Sequence, residues 1–276
     1  MGSMGFDLHV HTTASDGKLR AEEVIQLAID LGLEGLAITD HDTINAINPA
    51  LHFISRRRIS LELVPGIELN TEAGDNEIHI LGYYLDHNNK SLLLKLRELK
   101  ESRDERAFKI VSRLEEIGLP LDLERVKEHA QGEVVGRPHI ADAMIEEGYV
   151  RTREEAFEKY LDHGRPAYVS RYKFPPREAI ELIKGCGGLA VLAHPGLIDD
   201  PTVVAEVIAM GVDGLEVYYP QHSDEQTSYY RLLAEEKGLL ITGGSDFHGP
   251  NEGNKLGTVR IDRSLITAMQ KRLPSR

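Results

Sequence analysis

The feature that most constrains this chain is a series of short apolar runs, each stopping at an acid or a histidine. Phe6 to Val10 runs into His11, Gly35 to Thr39 into Asp40-His41-Asp42, and Leu61 to Ile67 ends at Glu68. Leu189 to Ala193 ends at His194, and Leu239 to Thr242 leads into Ser245-Asp246-Phe247-His248. Near-continuous apolar strands imply parallel strands covered on both faces. The segments between them are amphipathic: Val24, Leu27, Ala28 and Leu31 recur at helical spacing before Gly32, and helices are predicted near 46–57, 176–186, 201–210 and 224–236. Strand–helix alternation of this kind predicts a parallel α/β barrel, and such barrels build their sites just past the strand ends. A length of 276 residues suits one barrel of about 250.

Two stretches depart from the pattern. From about 91 onward the chain turns helical and rich in Lys, Glu and Arg, so 97–172 is expected to be an inserted helical subdomain over the cleft, with 4–96 and 173–276 forming the barrel. The other departure is Glu77 to Tyr83, a predicted strand that carries His79 near its beginning, which nothing in the sequence explains.

Composition narrows the function classes. The net charge of −13 argues against general adhesion to nucleic acid or to an anionic membrane. No apolar run reaches the ~18 residues of a membrane span, and no signal-peptide pattern opens the chain; Met1-Gly2-Ser3 reads as an appendage before Met4. The single cysteine, Cys186, fits a reducing cytoplasm and a buried apolar position. The run Arg56-Arg57-Arg58 is expected to complement a helix C-terminus rather than bind nucleic acid.

His9 and His11 are two apart, so on a strand they share a face, an arrangement suited to a divalent metal. Asp16, His41, Glu68, His79, His194, Asp246 and His248 each lie in a short motif beside a predicted strand. If these residues hold three divalent ions, three carboxylates offset about half of the charge and leave a cationic pocket, which points toward phosphate.

Taken in order, His9-Val10-His11, Thr39-Asp40-His41-Asp42, Pro65-Gly66-Ile67-Glu68, His79-Ile80-Leu81-Gly82, His194-Pro195 and Ser245-Asp246-Phe247-His248 resemble the motifs of the PHP (polymerase and histidinol phosphatase) metallohydrolases. The resemblance implies a distorted (β/α)7 barrel and a cluster of two or three divalent ions. It places one ion on His9, His11, Glu68 and Asp246, a second on Glu68, His79 and His194, and a third on Asp16, His41 and His248. Asp16 stands where some members carry histidine, and the added carboxylate favours manganese over zinc, with iron also admitted. Metals so placed activate a shared water to hydroxide and polarise the phosphoryl oxygens, so no protein nucleophile is needed. Asp40 and Asp42 are read either as partners that orient the imidazoles or as helix caps.

The helical insertion is similar to that of small nucleotide phosphoesterases, which implies hydrolysis of the 3′-phosphate of a 3′,5′-bisphosphonucleotide. A 5′–3′ exoribonuclease acting on short RNA and a histidinol-phosphate phosphatase are the enzymatic alternatives. A metal-stabilised binding module is the non-catalytic one, disfavoured because every family ligand position holds a competent ligand. Substrate contacts are expected from Arg137 and His139 in the insert and from Arg165, Tyr168, Ser170 and Lys173 on the return to the barrel. His222 is the expected proton donor to the leaving oxygen. The expected partner is therefore a small phosphorylated molecule, in the cytoplasm, with no membrane and no large nucleic-acid surface.

Overall fold

The computed structural model describes residues 4–74, 76–130, 135–170, 172 and 174–274. Met1-Gly2-Ser3 and Lys173 lie outside them. Strands β1 (Phe6–Asp7), β2 (Gly35–Ile38), β3 (Glu62–Ala73), β4 (Asn76–Tyr83), β5 (Leu189–Leu192), β6 (Gly214–Tyr218) and β7 (Leu240–Gly243) pair in sequence order. The ends meet where Leu8 N–H donates to Gly243 O at 3.2 Å and His11 N–H to Phe247 O at 2.9 Å. Helices α1 (Ala21–Asp30), α2 (Ile47–Arg57), α7 (Pro176–Gly185), α8 (Pro201–Ala209), α9 (Asp224–Lys237) and α10 (Arg263–Arg272) cover this distorted (β/α)7 barrel.

Alternation along the strands sorts the side chains into two layers. Leu36 and Ile38 pack outward with Val24, Ile25 and Ala50 of α1 and α2. Ala37 joins Val64, Leu81, Tyr83 and Val191 on the other side. Outward-facing Ile67, Leu69, Ile80 and Leu192 meet Ala179, Ile180 and Ile183 of α7.

The all-parallel expectation needs correction at one strand. β4 runs antiparallel to both β3 and β5, with Asn70 paired to His79 and Glu68 to Leu81. A short hairpin replaces a helical crossover here, so the strand returns in reverse. Its beginning therefore lies at the same rim of the barrel as the C-terminal ends of its neighbours. This accounts for His79: reversal of the strand brings the start of β4 to the functional rim.

Helices α3 (Lys90–Glu116), α4 (Leu123–His129), α5 (Arg137–Glu146) and α6 (Arg153–Ala156) form the insert, followed by a π-helical turn at Phe157–Leu161. The insert has its own core, in which Ile110, Leu114, Val126, Ile140, Met144 and Leu161 are buried together. The boundary expected at residue 97 falls inside α3. The first part of that helix, through Leu92, Leu96 and Leu99, packs into the barrel's outer layer against Ile67, Leu69 and Phe174. One continuous helix thus ties the two cores together. Among the described residues no helix is long and apolar enough to cross a membrane.

Candidate metal centre

The loops at one rim of the barrel bring the motif residues together. His9 and His11 follow β1, His41 follows β2, Glu68 lies within β3, His79 within β4, His194 after β5, and Asp246 and His248 after β7. Glu68 is the hub. Its Oε2 lies 3.2 Å from His9 Nε2, 3.2 Å from His11 Nε2 and 3.1 Å from His41 Nδ1. Its Oε1 lies 2.8 Å from His79 Nδ1 and 3.2 Å from His194 Nε2. Asp246 Oδ1 stands 3.4 Å and 3.1 Å from the Nε2 atoms of His9 and His11. Asp16 faces His248 at 3.3 Å and His41 at 4.0 Å.

Ligand atoms close enough to share an ion form three groups: His9, His11, Glu68 and Asp246; His41, Glu68 and His79; and His11, Asp16, His41 and His248. The grouping differs from that implied by resemblance in three respects: His11 also joins the Asp16 group, His194 falls in none of the three, and His41 joins the Glu68–His79 group. His41 lies between two groups, with Nδ1 toward Glu68 and Nε2 toward Asp16.

The chemistry of this donor set fits divalent cations. His11 is fully buried, and neither ring nitrogen has a hydrogen-bond partner among the described residues, although carboxylate oxygens stand 3.1–3.2 Å away. A buried imidazole left that way is costly unless a cation takes its lone pair. Burial acts to lower the His11 pKa, yet Asp246 and Glu68 push it up to about 10; burial likewise opposes the rise of His79 to about 9 beside Glu68. Burial would raise the pKa of Glu68, but His41, His9 and His79 hold it well below the usual carboxylate range. Crowded imidazoles, such as His11 and His248 with ring centres 4.1 Å apart, repel one another when protonated. Metal ions supply the same positive charge while keeping the rings neutral.

The supporting shell was only partly legible. Glu216, buried in β6, faces His9 Nδ1 at 3.0 Å and accepts the His194 backbone N–H at 2.8 Å, so it orients the ring of one candidate ligand and the backbone of another. Sequence reasoning missed it; the available signal was a lone acid inside the apolar run Gly214–Tyr218. Asp7 likewise ties the ligand loops to β1, accepting from the Ser245 N–H at 2.8 Å and the Gly257 N–H at 2.7 Å. Tyr219 donates to Asp246 Oδ2 at 2.9 Å.

Asp40 and Asp42 fill neither expected role directly. Asp40 accepts from Thr12 N, Thr12 Oγ1 and Ser15 Oγ at 2.7–2.8 Å and so shapes the loop that carries Asp16. Asp42 binds the Asn70 N–H and the Arg103 guanidinium; Asn70 Nδ2 in turn lies 3.1 Å from His41 Nδ1. His194 and Asp246 have φ of 27° and 52°, left-handed backbone at non-glycine residues, which is the local strain found where side chains are held for function.

A cavity of about 200 Å³ opens between the cluster and the insert. Asp16, His41 and His79 line one wall, and Arg103, Arg106, Arg137 and His139 line the other. Arg137 and His139 thus line this cavity, and α3 contributes two further arginines that the sequence did not single out. Arg137 sits over the Phe157 ring and within 3.6 Å of Glu77, whose carboxylate also meets His79 Nε2 at 2.9 Å. The other expected contacts among the described residues stand apart. Arg165 and Ser170 are exposed and do not line the cavity, and Tyr168 is half-buried against His163.

His222 requires a correction. Its Nδ1 faces Val217 O at 2.9 Å, and its Nε2 accepts the Gly196 N–H at 3.1 Å. Both nitrogens are engaged with backbone, and burial lowers its pKa. The ring pins the loop after β5 to the end of β6 and has no proton directed at the cavity.

Imidazoles and carboxylates clustered at the mouth of an α/β barrel define the class of metal-dependent barrel hydrolases. Comparison with known proteins supplies the family: the PHP domain matches residues 7–165, and the chain belongs to that family. It is 38% identical over 257 residues to the 5′-3′ exoribonuclease Rnm of Escherichia coli, covering 91% of this chain and 88% of that protein. It is 34% identical over 255 residues to the 3′,5′-nucleoside bisphosphate phosphatase of Chromobacterium violaceum, covering 90% and 89%. Among solved structures, a candidate metal-dependent phosphoesterase of Bifidobacterium adolescentis superposes with a TM-score of 0.90 at 30% identity, over 99% of this chain and 98% of that one. The protein is a phosphoric ester hydrolase of the metal-dependent PHP type.

Proposed function

We propose that this enzyme breaks the bond between the 3′-oxygen and phosphorus of a 5′-phosphorylated nucleotide, with 3′,5′-bisphosphonucleotides such as adenosine 3′,5′-bisphosphate as substrates. The observation that carries this reading is the cavity with the ligand cluster on one wall and Arg103, Arg106 and Arg137 on the other. Two phosphates on one nucleotide match that polarity: one over the cluster, the other toward the insert. Arginine suits the second because its planar fork matches phosphate oxygens. The three arginines, offset in part by Glu77 beside Arg137 and Asp42 beside Arg103, give an anionic substrate a local counterweight to the net charge of −13.

His9, His11, Glu68 and Asp246 would hold one ion, Glu68, His79 and His194 a second, and Asp16, His41 and His248 a third, with His41 near enough to Glu68 to serve the second site as well. Divalent ions bound there supply Lewis-acid polarisation of the phosphoryl group and activation of water. Manganese is the proposed ion because the set mixes imidazole with carboxylate and contains no thiolate. The residues themselves orient and exclude: Glu216 and Asn70 steer imidazoles, and the insert shields the cluster from bulk water. The enzyme works on a small soluble substrate in the cytoplasm.

The exoribonuclease reading is favoured by the 38% identity to Rnm. It is chemically close. Release of a 5′-mononucleotide from the 5′ end of RNA breaks the same 3′-oxygen–phosphorus bond, and only the group beyond the phosphorus differs. The deciding experiment compares manganese-supported phosphate release from adenosine 3′,5′-bisphosphate with cleavage of 5′-labelled short RNA and of histidinol phosphate. Rapid release from the bisphosphate is expected. Stepwise loss of mononucleotides with no release from the bisphosphate would move the assignment to the exoribonuclease, and turnover of histidinol phosphate alone would overturn both.

A further inference from the structure

We propose that Asp142 and Arg153, gripped by Lys18 and Glu252, form a positioning latch that sets the insert's wall of the cavity against the barrel loops carrying Asp16 and His248. Arg153 of α6 holds Asp142 of α5 through two contacts of 2.6 Å. From the barrel, Lys18 Nζ reaches Asp142 Oδ2 at 3.1 Å, and Glu252 Oε2 meets Arg153 at 3.0 Å. Asp142, Arg153 and Glu252 are partly buried, at 17–29% exposed, so the Arg153 contacts are sheltered from full solvent screening, whereas Lys18 reaches Asp142 from an exposed position.

The placement gives the network its consequence. Lys18 lies two residues after Asp16, and its own N–H donates to His248 O at 2.7 Å, which sews the two ligand loops together. Gly249 packs beneath Lys18 so closely that a β-carbon there would stand 2.9 Å from Lys18 Cβ. On the insert side, Asp142 follows His139 by three residues and so shares its face of α5, while Arg137 sits at the start of the same helix. The latch thus joins the residues that frame one wall of the cavity to the loops that frame the other, across a gap no backbone hydrogen bond spans among the described residues. The α3 helix anchors the insert at one end, and the latch anchors it at the opposite side of the cleft. None of the four side chains is a ligand or a cavity contact; they act through α5.

The kinetic part of the test rests on the two-phosphate substrate proposed above, whereas the exchange part does not. Hydrogen exchange of the manganese-loaded full chain would be compared between wild type and Asp142→Asn. Loss of charge-assisted bonds at the latch is expected to speed exchange across 137–146 by about tenfold, with β3 and β5 unchanged. The KM for adenosine 3′,5′-bisphosphate is expected to rise at least ~5-fold, while kcat/KM for bis(p-nitrophenyl) phosphate, which has no second phosphate to engage the insert, stays within about 2-fold. Glu252→Gln should shift both readouts the same way by less, and it decides the matter if Asp142→Asn loosens the whole molecule. Unchanged exchange at 137–146 in both variants, or equal losses on both substrates, would overturn the latch. A wild type inactive on the bisphosphate would instead refute the substrate reading and leave the exchange result to judge the latch.

Discussion

His11 Nε2 lies 3.2 Å from Glu68 Oε2 in a fully buried setting, yet the two are not hydrogen-bonded. Both atoms face a common point that a cation would fill. Because Glu68 reaches ring nitrogens on both of its oxygens, it is the carboxylate shared by two groups of candidate ligands among the described residues. Glu68→Ala is therefore expected to cut phosphate release by at least ~10³-fold and to lower bound metal, as measured by elemental analysis of the purified protein. Retention of full activity would contradict the bridging role. Chelation of the wild type should lower its melting temperature, and readdition of ions at about 100 times Kd should restore about 2.7 kcal/mol.

Glu216 touches no expected substrate atom but fixes His9 from behind. Replacing it with alanine leaves the His194 backbone N–H unpaired and frees the His9 ring. Metal affinity is expected to fall 10–100-fold, read by competition with a chromogenic chelator. Saturating metal should recover most of kcat, which separates this residue from a ligand.

Arg137 tests the two-phosphate cavity. Arg137→Ala is expected to raise KM for a bisphosphonucleotide by at least ~10-fold, the scale of one charge-assisted contact, and to affect a simple monophosphate ester much less. Steady-state kinetics on the two substrates side by side would check it. Equal effects would rule out a dedicated second-phosphate site.

His222→Gln distinguishes a proton donor from a backbone clamp. With both ring nitrogens engaged by Val217 and Gly196, the variant should keep kcat within about 3-fold and lose neither limb of the pH–rate profile. Stability should drop by roughly 1–3 kcal/mol, seen in urea melts, because buried backbone groups lose their partner. Loss of one pH limb would restore the catalytic assignment.

His139 makes stability depend on pH. Burial lowers its pKa to about 4, and its neutral ring accepts the Gly136 N–H at 3.1 Å at the start of α5. The unfolded chain binds a proton at this residue near pH 6.5 and the folded chain only near 4, so the folded state loses stability as pH falls through that window. The loss amounts to a few kcal/mol at most, about 1.4 per unit of pH. Urea melts at successive pH values should show a shallower acid-side decline for His139→Gln than for wild type.

Much of the site is visible in the chain itself because ligand chemistry is local. His9-Val10-His11 or Ser245-Asp246-Phe247-His248 carries donor atoms at a strand end whatever the rest of the fold does. The supporting residues are different in kind. Nothing in the neighbourhood of Glu216 distinguishes it from an ordinary buried acid until β6 is placed beside the loop of His9. Arg103 and Arg106 look like surface residues of a charged helix, and only the docking of α3 turns them into the cavity. His222 misled for the converse reason: a strand-end position says that a ring is near the site, not which way its nitrogens point.

The sequence by itself determined the barrel class, the helical run between β4 and β5 and the set of candidate ligands, because apolar periodicity and donor chemistry are properties of consecutive residues. Tertiary structure decided the direction of β4, which brings His79 to the functional rim, and the partners Glu216, Arg103 and Asp142, which connect distant segments. Periodicity records which face of a strand is buried but not which way the strand runs. A side chain's partner is set by strand pairing and helix docking, and those are settled only when the whole chain packs.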